Sequence, residues 1–310
     1  MSDAPSSLRR RESRGLMLGF VGVVIFAMTL PMTRLAVGSS AAPQLPPLFV
    51  TAGRAAFAAG LAAAYLVVVR ASWPRREHRQ LFFVSALGTV VGFPLFLSLA
   101  LRHVDAMHAA VVTGVLPLAT AIAAAVAFRQ RPSTGFWLCA GIGCAVVIAF
   151  AAWRGNGAVT IGDVLLLGSV ASAAIGYVAG ARLTQDMSAE RVICWVLVMS
   201  APLTVPVMLV SWPTRSASLA AWGGLAYVSV FSMWMGFFAW YRGLALGGAV
   251  RVSQVQLVQP FLSILFAVPV LGERLDVVTI GFALAVVASV VVGRSMPVGR
   301  TPAPAMAVRS

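Results

Sequence analysis

Apolar residues in this chain come in long, nearly unbroken blocks, with polar residues gathered between the blocks or along single faces inside them. Ten blocks of about 20 residues can be marked, each long enough for a hydrocarbon core of roughly 30 Å. They run over residues 15–37, 47–69, 80–101, 106–128, 135–153, 163–184, 192–211, 219–241, 249–270 and 277–293. The connections are short, and none is large enough to fold as a separate soluble domain. The pattern predicts an all-α integral membrane protein with ten transmembrane helices.

One stretch occurs twice. Thr113, Pro117, Thr120, Gln130 and Arg131 recur as Gln256, Pro260, Ser263, Glu273 and Arg274, every pair the same distance apart. Arg34-Leu35 at the end of block one and Arg182-Leu183 at the end of block six form a second pairing. Such duplication marks a membrane transporter built from internal repeats. Five spans per half is an odd number, so the halves insert in opposite senses. The expected domains are a tail over 1–14, a five-helix repeat over 15–153, an inverted five-helix repeat over 163–293 and a tail over 294–310. Two inverted repeats enclose a central cavity and can open alternately to each side.

Composition agrees with lipid as the main solvent: 60% of residues are hydrophobic, 10% are charged, and mean hydropathy is +0.91. The formal charge of +14 raises nucleic acid as a partner. The basic residues, all arginine, argue against it because they sit singly or in short clusters between apolar blocks. With the N-terminus in the cytoplasm, that side receives Arg9, Arg10, Arg11, Arg14, Arg70, Arg75, Arg76, Arg79, Arg129, Arg131, Arg182, Arg191, Arg242, Arg251, Arg294, Arg300 and Arg309. The outer side receives Arg102, Arg154, Arg215 and Arg274. This asymmetry predicts a multi-pass protein of a bacterial inner membrane with both termini cytoplasmic. Trp73, Trp153, Trp212 and Trp222 fall where an aromatic belt belongs. The first block is too long for the apolar core of a cleaved signal, and reads as a membrane helix. Cys139, Cys144 and Cys194 lie inside apolar blocks with no metal-ligand spacing.

The chain resembles the EamA-type transporters of the drug/metabolite transporter superfamily. The residues that carry the resemblance are Gly272-Glu273-Arg274-Leu275 after a block containing Pro260, Gly162-Asp163 opening block six, Arg54 in block two, and Trp222, Gly236 and Gly243 around block eight. The first half departs from the pattern, with Arg129-Gln130-Arg131-Pro132 where a Gly-Glu-Arg-Leu-like tetrad is common. The resemblance implies an exporter of amino acids and similar metabolites.

Candidate binding residues follow from polar groups inside apolar blocks. Gln256, Gln259 and Ser263 share one helical face, and an amide in lipid must meet protein or water. With Thr113 and Thr120 on the matching face of block four, they read as a wall that holds a polar substrate, or else as bonds between helices. Pro117 and Pro260 each remove a backbone donor and form a hinge or a static kink. Among Phe93, Phe96, Tyr177, Trp234, Phe237, Trp240 and Tyr241, Tyr177 and Trp234 are taken as substrate-facing aromatics. Arg54, Glu273 and His108 are candidates for a charge role, with helix-end or packing roles as the bland readings. Asp163 is read as a helix cap.

No catalytic residue, metal site or cofactor is called for. All nine acidic residues lie in tails, loops or span ends, which favours facilitated diffusion over a buried carboxylate relay. The expected partners are a small-molecule substrate and the lipid bilayer, for a monomer or weak homo-oligomer. The alternatives are a carrier of phosphorylated or nucleotide-linked sugars, which would want several cations in the cavity, and a multispan membrane enzyme, which would want clustered His, Asp or Glu.

Overall fold

A computed structural model describes residues 4–127, 131–155, 157–247, 255–295 and 298–299. Arg129, Gln130, Arg251, Arg300 and Arg309 lie outside the described residues, as do the side chains of Arg9, Arg10, Arg11, Arg131, Tyr241 and Arg294.

The described chain is all-α. Eight helices are long and apolar enough to cross a bilayer: α1 Ser13–Val37, α2 Pro47–Val68, α3 Arg76–Ala100, α4 Ala106–Ala127, α5 Thr134–Arg154, α6 Ile161–Leu183, α7 Ala189–Val210 and α8 Leu219–Trp240. Two shorter apolar helices follow, α9 Gln256–Leu271 and α10 Val277–Gly293. The ninth block was expected to begin at 249, and residues 248–254 lie outside the described set. A two-residue antiparallel pairing, Arg131–Pro132 with Val298–Gly299, joins the segment before α5 to the segment after α10.

The helix ends follow local chemistry. Pro47 stands in the first turn of α2, where a missing N–H costs nothing. Ser133 and Ser218 accept the N–H groups of Phe136 and Ala221 to cap α5 and α8. Thr160 and Asp163 form a reciprocal capping box at α6. Gly272 ends α9 in the left-handed conformation, φ 69° and ψ 18°, where its lack of a Cβ removes the steric cost.

Several helices are irregular, α1 among them, interrupted at Met28. In α3 and α8 the hydrogen bonding widens to a π pattern over Ala86–Gly92 and Val228–Met235. α4 is interrupted at Gly114–Val115, just before Pro117. α9 opens with a 3-10 turn, Gln256–Val258, just before Pro260. Pro117 has no N–H for the carbonyl of Thr113, and Pro260 has none for the carbonyl of Gln256.

The helices pack in pairs. α1 lies on α8 and α9, and α6 lies on α3 and α4. α2 runs along α7, α5 along α10, and α4 meets α9. Small residues let backbones approach. A Cβ on Gly88 of α3 would stand 2.5 Å from the Ser172 carbonyl oxygen of α6, and one on Gly224 of α8 would stand 2.5 Å from the Met32 carbonyl oxygen of α1. The outward faces are apolar; Val210, Leu219 and Val277 are at least 85% exposed, as a lipid-facing surface requires. Trp73, Trp153 and Trp212 are exposed at helix ends.

Candidate functional site

A cavity lies where α1, α2, α3, α4, α6, α8, α9 and α10 converge, with roughly 920 Å³ of empty space including its open mouth. Thr113, Pro117, Gln256, Gln259, Pro260, Ser263, Arg54 and Tyr177 all line it. Thr120, Trp234, His108 and Glu273 do not.

The lining has a regular plan. Thr113, Gly114, Leu116 and Pro117 of α4 face the cavity, and so do Gln256, Leu257, Gln259 and Pro260 of α9. One constant separation along the chain relates each α4 position to its α9 counterpart. The same separation relates Thr89 in the π segment of α3 to Ser232 in the π segment of α8, and both line the cavity. The polarity is unequal. Gln256 stands against Thr113, Gln259 against Leu116, and Arg54 against Leu197, so the richer hydrogen-bonding groups concentrate at α9 and α2.

A buried polar chain runs along one wall. Arg54 Nη2 donates to Ser232 Oγ at 3.0 Å. Ser232 Oγ in turn lies 2.8 Å from Thr29 Oγ1, with either hydroxyl able to donate. Arg54 is 2% exposed. Thr29 and Ser232 were missed by sequence reasoning, although the duplication spacing from Thr89 would have pointed to Ser232.

Ser263 is tied down. Its hydroxyl donates to the Ala27 carbonyl of α1 at 2.8 Å. That carbonyl is free because Pro31, four residues on, has no N–H to give it. Thr120, at the matching position of α4, instead donates to the Leu116 carbonyl of its own helix at 2.9 Å. Trp234 is not on the cavity wall; its ring lies 5.1 Å from that of Phe238, inclined by 52°, and it joins the cluster around Val192, Cys194 and Leu197. Thr113 lines the cavity while its hydroxyl donates to the Ala109 carbonyl at 2.7 Å.

The helix ends beyond α4 and α9 form a second polar group. Glu273 accepts the Ala106 N–H at 2.7 Å and the Met107 N–H at 2.8 Å, so a carboxylate after α9 caps the N-terminus of α4. Burial pushes the Glu273 carboxyl above the ordinary glutamate value, while the two N–H groups pull it down less strongly. His108 Nε2 lies 2.5 Å from Asp163 Oδ1, and both are buried. Asp163 also accepts the Thr160 N–H at 2.8 Å and its hydroxyl at 2.6 Å. Arg154 donates to Asp276 and Thr279, linking the ends of α5 and α10. Arg34 donates to the Leu101 carbonyl and lies 3.6 Å from Asp105. These contacts tie helix ends across the fold and leave the central cavity to other residues.

Comparison with known proteins gives the chain its kin. The model of the EamA-like transporter family matches twice, over residues 13–152 and 160–293. The uncharacterized transporter YdeK of Bacillus subtilis (strain 168) is 40% identical over 286 residues, which span 92% of this chain and 98% of that protein. The uncharacterized transporter YyaM of the same organism is 25% identical over 221 residues, spanning 66% and 72%. A crystal structure of a protein 17% identical to this one aligns with a TM-score of 0.63 over 92% of this chain and 97% of that one, a likeness of fold alone.

Proposed function

The chain belongs to the EamA-like transporter family of the drug/metabolite transporter superfamily, and on that premise we propose that it is an alternating-access carrier exporting small polar or amphipathic metabolites, amino acids first among them. The observation that carries this reading is the cavity walled by matched positions of α4 and α9, each with a proline, where α4 is interrupted at Gly114–Val115 and α9 opens with a 3-10 turn. Discontinuous helices at a repeat interface are where carriers place their substrate.

The two family matches and the helix pairing support two inverted five-helix repeats. Exchanging each helix with its counterpart five places along turns the contact of α1 with α8 and α9 into that of α6 with α3 and α4. It leaves the pairs α2–α7, α5–α10 and α4–α9 unchanged. In this reading the substrate enters from the cytoplasm, the side chains of Gln256 and Gln259 hold its polar groups, and the aromatic wall with Tyr177 takes its apolar part. Ser263 serves as a tie between α9 and α1, and Glu273 as a tie between the halves. Both termini are cytoplasmic, in a bacterial inner membrane.

The test is counterflow with purified protein in liposomes, screening amino acids, monocarboxylates, nucleosides, phosphorylated sugars and quaternary amines. Exchange of one class, saturable and absent from empty liposomes, is the expected result. No exchange of any class would remove the carrier reading.

A further inference from the structure

The charge in the cavity is one-sided. Among the described residues Arg54 is the one charged side chain on its wall. Only Nη2 is engaged, by the Ser232 hydroxyl; Nε and Nη1 are buried and have no partner among the described residues. None of the ion pairs among those residues includes Arg54. An isolated cation at membrane depth is costly, and a guanidinium keeps its charge at neutral pH. Two neutral hydroxyls stabilise it only in part. The missing piece is an anion.

We infer that Arg54 is the anion anchor of the transport site and that the transported solute presents a carboxylate to its unpaired N–H groups. This rests on the carrier reading above. The rest of the wall defines the remainder of the solute. Phe26, Phe93, Tyr177 and Phe237 offer apolar ring surface. Gln259 Oε1 on α9 is buried without a hydrogen-bond partner among the described residues and accepts a donor from the same solute. One guanidinium balances one negative charge. A phosphate monoester would bring a second negative charge with nothing to meet it, and a cation without an acid would add repulsion. The site therefore takes apolar monocarboxylates that also carry a hydrogen-bond donor, and rejects amines that lack the acid.

The experiment uses five solutes of similar shape: L-phenylalanine, 3-phenylpropionate, 3-phenylpropionamide, phenethylamine and phenyl phosphate. Each is assayed with the purified full chain by thermal stabilisation and by inhibition of counterflow. Both carboxylates are expected to bind, L-phenylalanine more tightly because its ammonium gives Gln259 a donor, with the neutral amide and the amine weaker than 3-phenylpropionate by about tenfold or more, the scale of one charge-assisted hydrogen bond. Arg54→Lys is expected to keep the preference and Arg54→Gln to abolish it. The wild-type comparison decides the matter even where Arg54→Gln does not fold. Equal binding of the amide or the amine overturns the anchor and leaves the carrier standing, as does stronger inhibition by phenyl phosphate. Absence of exchange across the wider counterflow panel overturns both.

Discussion

The central residues are two glutamines with different surroundings. Gln256 and Gln259 sit on the α9 wall, and Gln259 Oε1 has no partner among the described residues. Truncating an amide whose oxygen is unpaired removes little from the folded state, so Gln259→Ala is expected to leave the melting temperature within about 2 °C, since 1 kcal/mol moves a domain of this size by a few degrees. Initial counterflow rates should fall severalfold for Gln259→Ala and for Gln256→Ala. Unchanged rates for both would move the site to another face. Asp276 gives a pH prediction. Burial alone would raise its carboxyl, but the Thr279 hydroxyl and N–H, with the Arg154 guanidinium, hold it below the ordinary value of 3.8. A depressed acid contributes stability above its unfolded pKa and loses it as pH falls through the folded value. Wild-type protein should therefore lose melting temperature more steeply below about pH 4 than Asp276→Asn. Parallel acid limbs would contradict this. At this scale the sequence disclosed α9 well, because a glutamine in lipid advertises itself. It hid Thr29 and Ser232, since a hydroxyl in a membrane helix can always bond its own backbone. It also misdirected Trp234, because an indole in an apolar block looks the same whether it faces a cavity or a neighbouring helix.

At the scale of the element, boundaries were legible and irregularities were not. α2 spans Pro47–Val68 and α5 spans Thr134–Arg154, against blocks read at 47–69 and 135–153. Hydrophobic length fixes such limits within a residue or two. The π segments of α3 and α8 leave no compositional trace; they pack against α6 and α2 respectively. The interruption of α4 and the 3-10 opening of α9 were visible through Pro117 and Pro260. The Gln256 carbonyl accepts the Gln259 N–H in that turn, and Pro260→Ala would supply the N–H a regular helix needs there. It is expected to stabilise the protein or leave it unchanged while slowing exchange, as the 3-10 turn gives way to a stiffer helix. Faster exchange, or a large loss of stability, would show that the proline is only a packing feature. Gly88→Val is the opposite case. Its new side chain would meet the α6 backbone, so folded yield is expected to collapse, measured by size-exclusion recovery.

At the scale of the molecule, the duplicated stretch pointed to the cavity because both copies kept a proline at the same place. Arginine placement argues for both ends of the chain on one side. Single cysteines placed in the two tails should react alike with a membrane-impermeant maleimide in right-side-out and inverted vesicles, once the exposed Cys144 is replaced. Opposite labelling of the two tails would break the inverted-repeat reading. How the halves meet was not legible, since lipid-facing and protein-facing Val or Leu look alike in a block that is apolar all round.

The pairing of α1 with α8 and of α3 with α6 means that the main helix contacts run between the first five helices and the last five rather than within either set. Each half offers its neighbour open faces, including the Glu273 carboxylate that the N-terminus of α4 needs. A gene severed between Arg154 and Thr160 should thus yield two fragments that are degraded when made singly and that regain counterflow when co-expressed. The protein would then behave as an obligate heterodimer whose subunits happen to share one peptide chain. A fragment that survives alone in the bilayer as a stable, monodisperse species would refute that interdependence.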